Sequence, residues 1–259
     1  MSTKMTVMTF NLRVAAKMDG INHFDNRRGR ILETIKTHKP DLIGFQEARD
    51  EARDWLRDTL DEYTVIGCGR LADCRGESVP LAFRKDKFMM INSESFWLSS
   101  TPDVPGSTYE GTDQSSCPRM CTVAWLKHLE NDRFFLFVNT HTDHSGALAR
   151  LLASNQILQY LSKKKLPAIV TGDFNAVPDS REIQLLTSNS IYPMVDATAN
   201  VKHTFHNYGK NKGDAEIKID YVFTSMAANF DEAYGVEDIP VDGVYISDHR
   251  PVMASVTLD

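Results

Sequence analysis

The sequence predicts an α/β protein in which two mixed β-sheets pack together and helices cover their outer faces. Three features point there. Strand-like and helix-like segments alternate in the first and last parts of the chain, the middle supplies successive strands with no helix between them, and several strands are apolar at nearly every position. Strands of that last kind are buried on both faces, as a layered sandwich requires. Met5–Phe10 reads as the first strand. A helix is predicted over Arg27–His38, where Ile31, Leu32 and Ile35 share one face, and Pro40 stops it. Asp41–Phe45 follows as a strand and Asp50–Leu60 as a helix. The middle is predicted to hold strands at Val79–Phe83, Phe88–Leu98, Met120–Leu126 and Phe134–Val138. Without crossover helices these form an antiparallel portion of a sheet. Ser99–Ser116, rich in Ser, Thr, Pro and Gly, reads as a long surface loop. Alternation then returns with a helix over Gly146–Leu161, a strand at Ala168–Thr171, a helix over Asp179–Leu186, and short strands at Ile219–Phe223 and Val252–Val256.

The 259 residues are 42% hydrophobic and 25% charged, the balance of a globular protein and not of a disordered or collagenous one. No low-complexity tract, fixed-period repeat or long Gly/Ser/Pro linker divides the chain, so residues 1–259 are expected to form one domain. No apolar run approaches the roughly 18 residues of a transmembrane helix, and the start, MSTKMTVMTFNL, lacks an apolar stretch followed by a small-residue cleavage site. A cytoplasmic location is expected. Cys68, Cys74, Cys117 and Cys121 are too few for a secreted disulfide framework, and their spacing is looser than structural zinc prefers. Reduced thiols near core strands are the better reading. With 29 Lys+Arg against 35 Asp+Glu the net charge is −6. That balance argues against a broad basic surface for nucleic acid. It leaves room for a phosphate-bearing substrate, because a divalent cation held by carboxylates supplies positive charge locally.

The strongest functional signal lies in how the apolar runs end. Val7–Phe10 leads into Asn11, and Leu42–Phe45 into Gln46 and Glu47. Phe134–Val138 leads into Asn139, Thr140 and His141, and Ala168–Val170 into Thr171, Gly172, Asp173 and Asn175. Groups held on rigid strand ends are well placed for catalysis. In extended chain Asn139 and His141 point to one side, as do Asp173 and Asn175. Asp248 and His249 are adjacent and can share a site only from a turn, which Pro251 favours by restricting Arg250 and removing a ladder donor. Each residue alone has a structural explanation. Asn11 and Asp173 suit turns, Glu47 suits a helix N-terminus, and a lone histidine is more often structural or exposed. Independent structural roles do not, however, put an acid, an amide or a histidine at every strand end.

Six segments together resemble the ordered motif set of the endonuclease/exonuclease/phosphatase superfamily. They are T-F-N-L-R at Thr9–Arg13, Q-E at Gln46–Glu47, N-T-H-T-D-H at Asn139–His144, G-D-F-N at Gly172–Asn175, I-D-Y-V-F at Ile219–Phe223 and S-D-H at Ser247–His249. That group includes deoxyribonuclease I, exonuclease III, the carbon catabolite repressor type deadenylases and neutral sphingomyelinases. The resemblance covers nearly the whole chain and implies a deoxyribonuclease I-like four-layer α/β sandwich that hydrolyses phosphoester bonds with Mg²⁺ or Mn²⁺. Carried over by motif, Glu47 is the principal metal ligand, with Asn11 and Asp248 completing the metal end. Asp173 orients and deprotonates the attacking water, while Asn175 and His141 hydrogen-bond the phosphate oxygens. His249 stabilises the developing negative charge, and Asp220 fixes its ring and favours its cation. The chemistry is consistent: hard cations take oxygen ligands, and preplaced donors stabilise the charge that builds on phosphate in the transition state.

Within that superfamily the motif details, with Arg150 on the helix after N-T-H-T-D-H and T-F-H at Thr204–His206, look most like the compact bacterial hydrolases near the deadenylase branch. Arg13 stands where apurinic endonucleases usually carry an acid or amide, and G-D-F-N continues without the Arg expected of inositol polyphosphate phosphatases. No apolar membrane-inserting hairpin is evident, which disfavours a sphingomyelinase. The expected substrate is RNA, DNA or a short oligonucleotide, including single-stranded nucleic acid. A nucleotide, sugar phosphate or lipid head group is the alternative, and a catalytically silent phosphate-binding module is a third reading. Arg13, Arg30, His144 and His206 are candidate substrate contacts, with His203, Phe96, Trp97 and Tyr208 beside them. Phe96 and Trp97 end an apolar strand and favour core packing. Neither a membrane nor an obligate protein partner is expected.

Overall fold

Every strand predicted from an apolar run forms in a computed structural model, which describes residues 2–259. The strands in chain order are β1 (Thr3–Asn11), β2 (Leu42–Gln46), β3 (Tyr63–Ile66), β4 (Leu81–Arg84), β5 (Phe88–Trp97), β6 (Met120–His128) and β7 (Phe134–His141). They continue with β8 (Ala168–Asp173), β9 (Val195–Asp196), β10 (Asp220–Thr224), β11 (Ala227–Ala228), β12 (Tyr234–Gly235) and β13 (Val252–Leu258). The helices are α1 (Phe24–His38), α2 (Asp50–Thr59), α3 (Ala147–Lys164) and α4 (Arg181–Thr187). One sheet runs β11-β13-β1-β2-β4-β3 with β12 added on β13, and the other runs β5-β6-β7-β8-β10-β9. Both are mixed: β1 is parallel to β2 and β7 to β8, within otherwise antiparallel neighbours.

Side-chain alternation assembles the layers. Along β7, Phe135 and Phe137 face the space between the sheets, where they meet Val7, Leu42, Ile169 and Val222. Leu136 and Val138 face outward under Ala153, Ile157 and Leu161 of α3. On the other sheet Met8, Phe10, Ile43 and Phe45 point outward beneath Ile31 and Ile35 of α1 and Leu56 of α2. Both parities of each central strand are therefore buried, which is why these strands read as continuous apolar runs. The result is two packed sheets with helices outside, as expected.

The differences from the sequence reading lie at element ends. Helix α1 starts at Phe24, three residues before the predicted start, and the His23 ring accepts a hydrogen bond from the Asp25 N–H there. Its end comes as expected before Pro40, with Lys39 in the left-handed region at φ 45°. Strands β7 and β8 run on through the polar residues to His141 and Asp173, because ladder bonding continues past the point where the apolar run stops. The expected extended geometry does fail at Asn175, which has φ 47°. Asp173 and Asn175 are thus not strand neighbours on one face. Strand β3 and the two-residue strands β9, β11 and β12 were not legible, being too short to show a period.

A polar seam joins the sheets just below the strand ends. The Gln46 amide donates to Asn139 Oδ1 at 2.7 Å, the Asn139 amide donates to Phe45 O at 2.6 Å and Pro80 O at 3.0 Å, and Thr171 Oγ1 donates to Asn139 Oδ1 at 3.0 Å. Gly44 makes the close approach possible, since a Cβ there would collide with Thr171 Oγ1 and the Asn139 side chain. Asn139, grouped by sequence with the strand-end residues, is therefore an inter-sheet tie.

Candidate active site

Strand register builds the site. In one sheet His141 lies beside Asp173 on the neighbouring parallel strand, and Asp173 lies opposite Asp220 on the antiparallel one, so three residues form a single row across β7, β8 and β10. In the other sheet Asn11 pairs with Gln46. The two rows meet across the sandwich, where the Asn11 amide donates to Asp173 Oδ2 at 2.9 Å and lies 3.2 Å from Glu47 Oε1. Beyond three of these strand ends the chain turns through left-handed residues: Arg13 at φ 55°, Glu47 at φ 59° and Asn175 at φ 47°. Non-glycine residues rarely adopt that conformation, and side-chain bonds hold these in it. The Arg13 N–H donates to Asn11 Oδ1, the Val14 N–H to Glu47 Oε2, and the Asn175 N–H to Asp173 Oδ1.

Asp248 and His249 enter from the irregular segment before β13, as the sequence required. His249 Nδ1 is 2.8 Å from Asp220 Oδ2, and its Nε2 is 3.8 Å from Asp173 Oδ2 and 4.0 Å from Asp248 Oδ1. Burial alone would lower the His249 pKa, but the charge and hydrogen bond of Asp220, helped by Asp248 and Asp173, raise it to about 10. Asp173 moves up to about 7, through burial first and repulsion from Asp220 second. Burial also raises Asp248, with Glu47 adding repulsion. His141 sits with Nε2 3.7 Å from Asp173 Oδ2. Burial, then the charges of Arg119 and Arg70, hold it well below its ordinary value and so neutral. The Asn175 amide donates to Thr142 O at 3.1 Å, which leaves its second amide hydrogen for a ligand.

The donor set suits a hard divalent cation. Four carboxylates, from Glu47, Asp173, Asp220 and Asp248, gather around His249 and Asn11. Asp173, Asp220 and His249 can offer ligand atoms all within 4.8 Å of one another, and Asp220 Oδ1 is buried without a partner among the described residues. Such crowding of acids is costly unless a cation offsets it. Asn11 spaces the carboxylates through its amide N–H groups, and its oxygen accepts from the Arg13 N–H with a second lone pair to spare.

The expected substrate contacts divide. Arg13 lies at the cleft, bound to Asp19 at 3.1 Å and 3.7 Å from Asp248. His144 is exposed, with Nδ1 2.9 Å from Arg119 Nη2. Arg30 is not brought to the site: its guanidinium binds the carbonyls of Val244 and Ile239 and pairs with Asp238 at 3.3 Å, tying α1 to the segment before β13. His206 is 2% exposed and its Nδ1 accepts from the Gly209 N–H, so its ring serves the fold. Burial pushes its pKa down to about 4. His203 bonds Glu216 O, Tyr208 donates to Asp19, and Phe96 and Trp97 are in the core. Sequence reasoning missed Arg70, Glu77 and Arg119, which surround the far side of His141. The only signal for any of them was Arg119, a charge directly before an apolar strand.

The family model described as "Endonuclease/Exonuclease/phosphatase family" matches residues 8–249, from β1 through His249. The chain belongs to the endonuclease/exonuclease/phosphatase family. It is accordingly a phosphoesterase of that family, with the family's two-sheet architecture. A family member from Bacteroides vulgatus is 33% identical with a TM-score of 0.91, over 99% of this chain and 100% of that one. A Bacteroides thetaiotaomicron protein described as a mannosyl-6-phosphatase is 28% identical with a TM-score of 0.85, over 98% of this chain and all of that one, at 100%. The human nocturnin catalytic domain with bound sulfate, 20% identical with a TM-score of 0.72 over 98% of this chain and 94% of that one, is alike in fold. Among the described residues no helix is long and apolar enough to cross a membrane, and all four cysteines are unpaired.

Proposed function

We propose that this family member hydrolyses a small phosphoester, of the sugar phosphate or nucleotide class, with Mg²⁺ or Mn²⁺. The observation that carries this reading is the convergence of Asp173, held by Asn11, and the His249–Asp220 pair on one acid-lined cleft. Glu47 and Asp248 would hold the cation. When bound, it supplies Lewis-acid neutralisation of phosphate charge. Asp173 orients a water molecule and takes its proton as the new O–P bond forms and the ester P–O bond breaks. Neutral His141 and the free amide hydrogen of Asn175 donate to the phosphate oxygens, and cationic His249 stabilises the charge that accumulates there.

The small-substrate preference is supported by how the cations and aromatics expected for an oligonucleotide are used. Arg30 binds backbone carbonyls, Phe96 and Trp97 pack in the core, and the net charge is −6. The mannosyl-6-phosphatase relative supports the same choice. A panel of hexose 6-phosphates, nucleotides, bis-p-nitrophenyl phosphate, oligo(A) and single-stranded DNA, assayed with Mg²⁺ or Mn²⁺ and with chelator, tests it. The expected outcome is chelator-sensitive turnover with kcat/KM highest for a small phosphoester and lost in Glu47→Ala. Faster hydrolysis of oligonucleotides than of every small ester would overturn the preference, and no turnover of any would overturn the reading.

A further inference from the structure

Arg119, the residue before β6, is 5% exposed, and its Nε and Nη1 have no hydrogen-bond partner among the described residues. Its Nη2 is taken by His144 Nδ1 at 2.9 Å. Asp143 lies 3.6 Å from Nε, but its carboxylate already accepts from the Ser115 hydroxyl and from the N–H groups of Ser115, Ser145 and Gly146. Against the pull of burial those donors hold the Asp143 carboxyl at about 2. Its hydrogen-bonding capacity is thus largely used before Arg119 reaches it. A guanidinium does not deprotonate in proteins, and burying one without a good partner is costly.

This cation adjoins the site described above. Arg119, Arg70, Glu77 and His141 line one small cavity of about 10 Å³, so an anion reaches both arginines only where Glu77 gives way. Arg70 is paired with Glu77 at 2.6 Å, and Glu77 Oε1 is 3.9 Å from His141 Nδ1, which has no hydrogen-bond partner among the described residues. The other ring nitrogen, Nε2, faces Asp173. Two arginines therefore stand, with Glu77, on the side of the histidine away from Asp173. Because His144 Nδ1 accepts from Arg119, the ring N–H lies on Nε2, at the exposed rim.

We propose that Arg119 and Arg70, with His144 at the rim, form a subsite for a second anionic group of the substrate, a phosphate or a carboxylate distinct from the phosphate being hydrolysed. The proposal rests on the phosphoesterase reading and narrows its substrate class. Forked guanidinium donors suit such groups, and an incoming anion would replace Glu77 on the half-buried Arg70. Burial holds the Glu77 carboxyl above its ordinary range, against the pull of Arg70.

Calorimetric binding in an Asp173→Asn background with Mg²⁺, where turnover is stopped, tests the subsite. Two pairs of probes separate the sources of the second anion: hexose 1,6-bisphosphate against hexose 6-phosphate, and 5′-phosphorylated ApA against ApA. In one pair the doubly substituted member should bind about 10- to 100-fold tighter, the range expected of charge-assisted hydrogen bonds. Adding Arg119→Gln should reduce that ratio to about twofold or less, and Arg119→Lys should leave an intermediate ratio, since Lys keeps the charge without the fork. No preference in either pair, or a preference that survives Arg119→Gln, overturns the proposal. Equal weakening of both members does so too, because it assigns Arg119 to the scissile phosphate. If circular dichroism shows Arg119→Gln unfolded, Arg70→Gln carries the same comparison at a more accessible arginine. Turnover of phosphoesters without a bisphosphate preference rejects only the subsite, whereas the preference without any turnover by the unmodified protein rejects only the phosphoesterase reading.

Discussion

Asp220 Oδ2 lies 2.8 Å from His249 Nδ1, and in the proposed function it acts on the cleft through that ring. Removing its charge in Asp220→Asn frees the ring to follow burial, which lowers its pKa. The variant should lose about 10²- to 10³-fold in kcat, the range for removing a preorganised electrostatic contact, with a smaller change in KM. The pH profile of kcat/KM should be bell-shaped in the unmodified protein. Activity falls as acid protonates Asp173, at or below about pH 7 because a bound cation favours its ionised form, and falls again as His249 loses its proton near pH 10. Asp220→Asn should draw the alkaline limb to lower pH. An alkaline limb that stays in place would show that His249 does not act as a cation. The residue types at the cleft were legible because acids, amides and a histidine terminate apolar runs, and the roles proposed for them came from the motif resemblance. The misplacement of Arg30 and His206 was not, since a polar residue looks the same in sequence whether it meets a substrate or a backbone carbonyl.

At the level of elements, the seam of Gln46, Asn139 and Thr171 fixes how closely the two sheets approach, and so the distance between Asn11 and Asp173. Gly44→Ala should destabilise the protein by about 3 kcal/mol or more, combining overpacking with broken buried hydrogen bonds. Urea unfolding checks the value, and a loss below about 1 kcal/mol would mean the seam yields easily. Arg30 works between elements, joining α1 to the segment that delivers Asp248 and His249. Arg30→Ala should cost about 1–3 kcal/mol through unsatisfied carbonyls. Its KM for small phosphoesters should change little, whereas a KM rise without loss of stability would restore Arg30 as a substrate contact. Most elements were visible from periodicity and breakers. Their ends were not, because ladder bonding carried β7 and β8 beyond their apolar runs.

Across the whole molecule, the buried acids and His249 tie stability to pH and to the cation. Folding raises His249 from 6.5 to about 10 and Asp173 from 3.8 to about 7. Each therefore contributes stability that is complete below its unfolded value and is lost as pH rises through its folded value. In chelator, Tm should fall as pH rises, over about 3.8 to 7 for Asp173 and about 6.5 to 10 for His249. Mg²⁺ should raise Tm most in the alkaline part of that range, where the carboxylates are ionised. A chelated Tm that climbs steadily with pH would contradict this. By itself the sequence determined the α/β class, most strands and helices, the order of the site motifs and the residue types available for chemistry, because periodicity, turn residues and strand-end polarity are local properties. Tertiary structure alone decided that His141, Asp173 and Asp220 form one row, that Asn139 ties the sheets, and that Arg119 is buried beside His141. Those facts depend on register and on the packing of segments far apart in the chain. No local pattern specifies which distant group a side chain will meet.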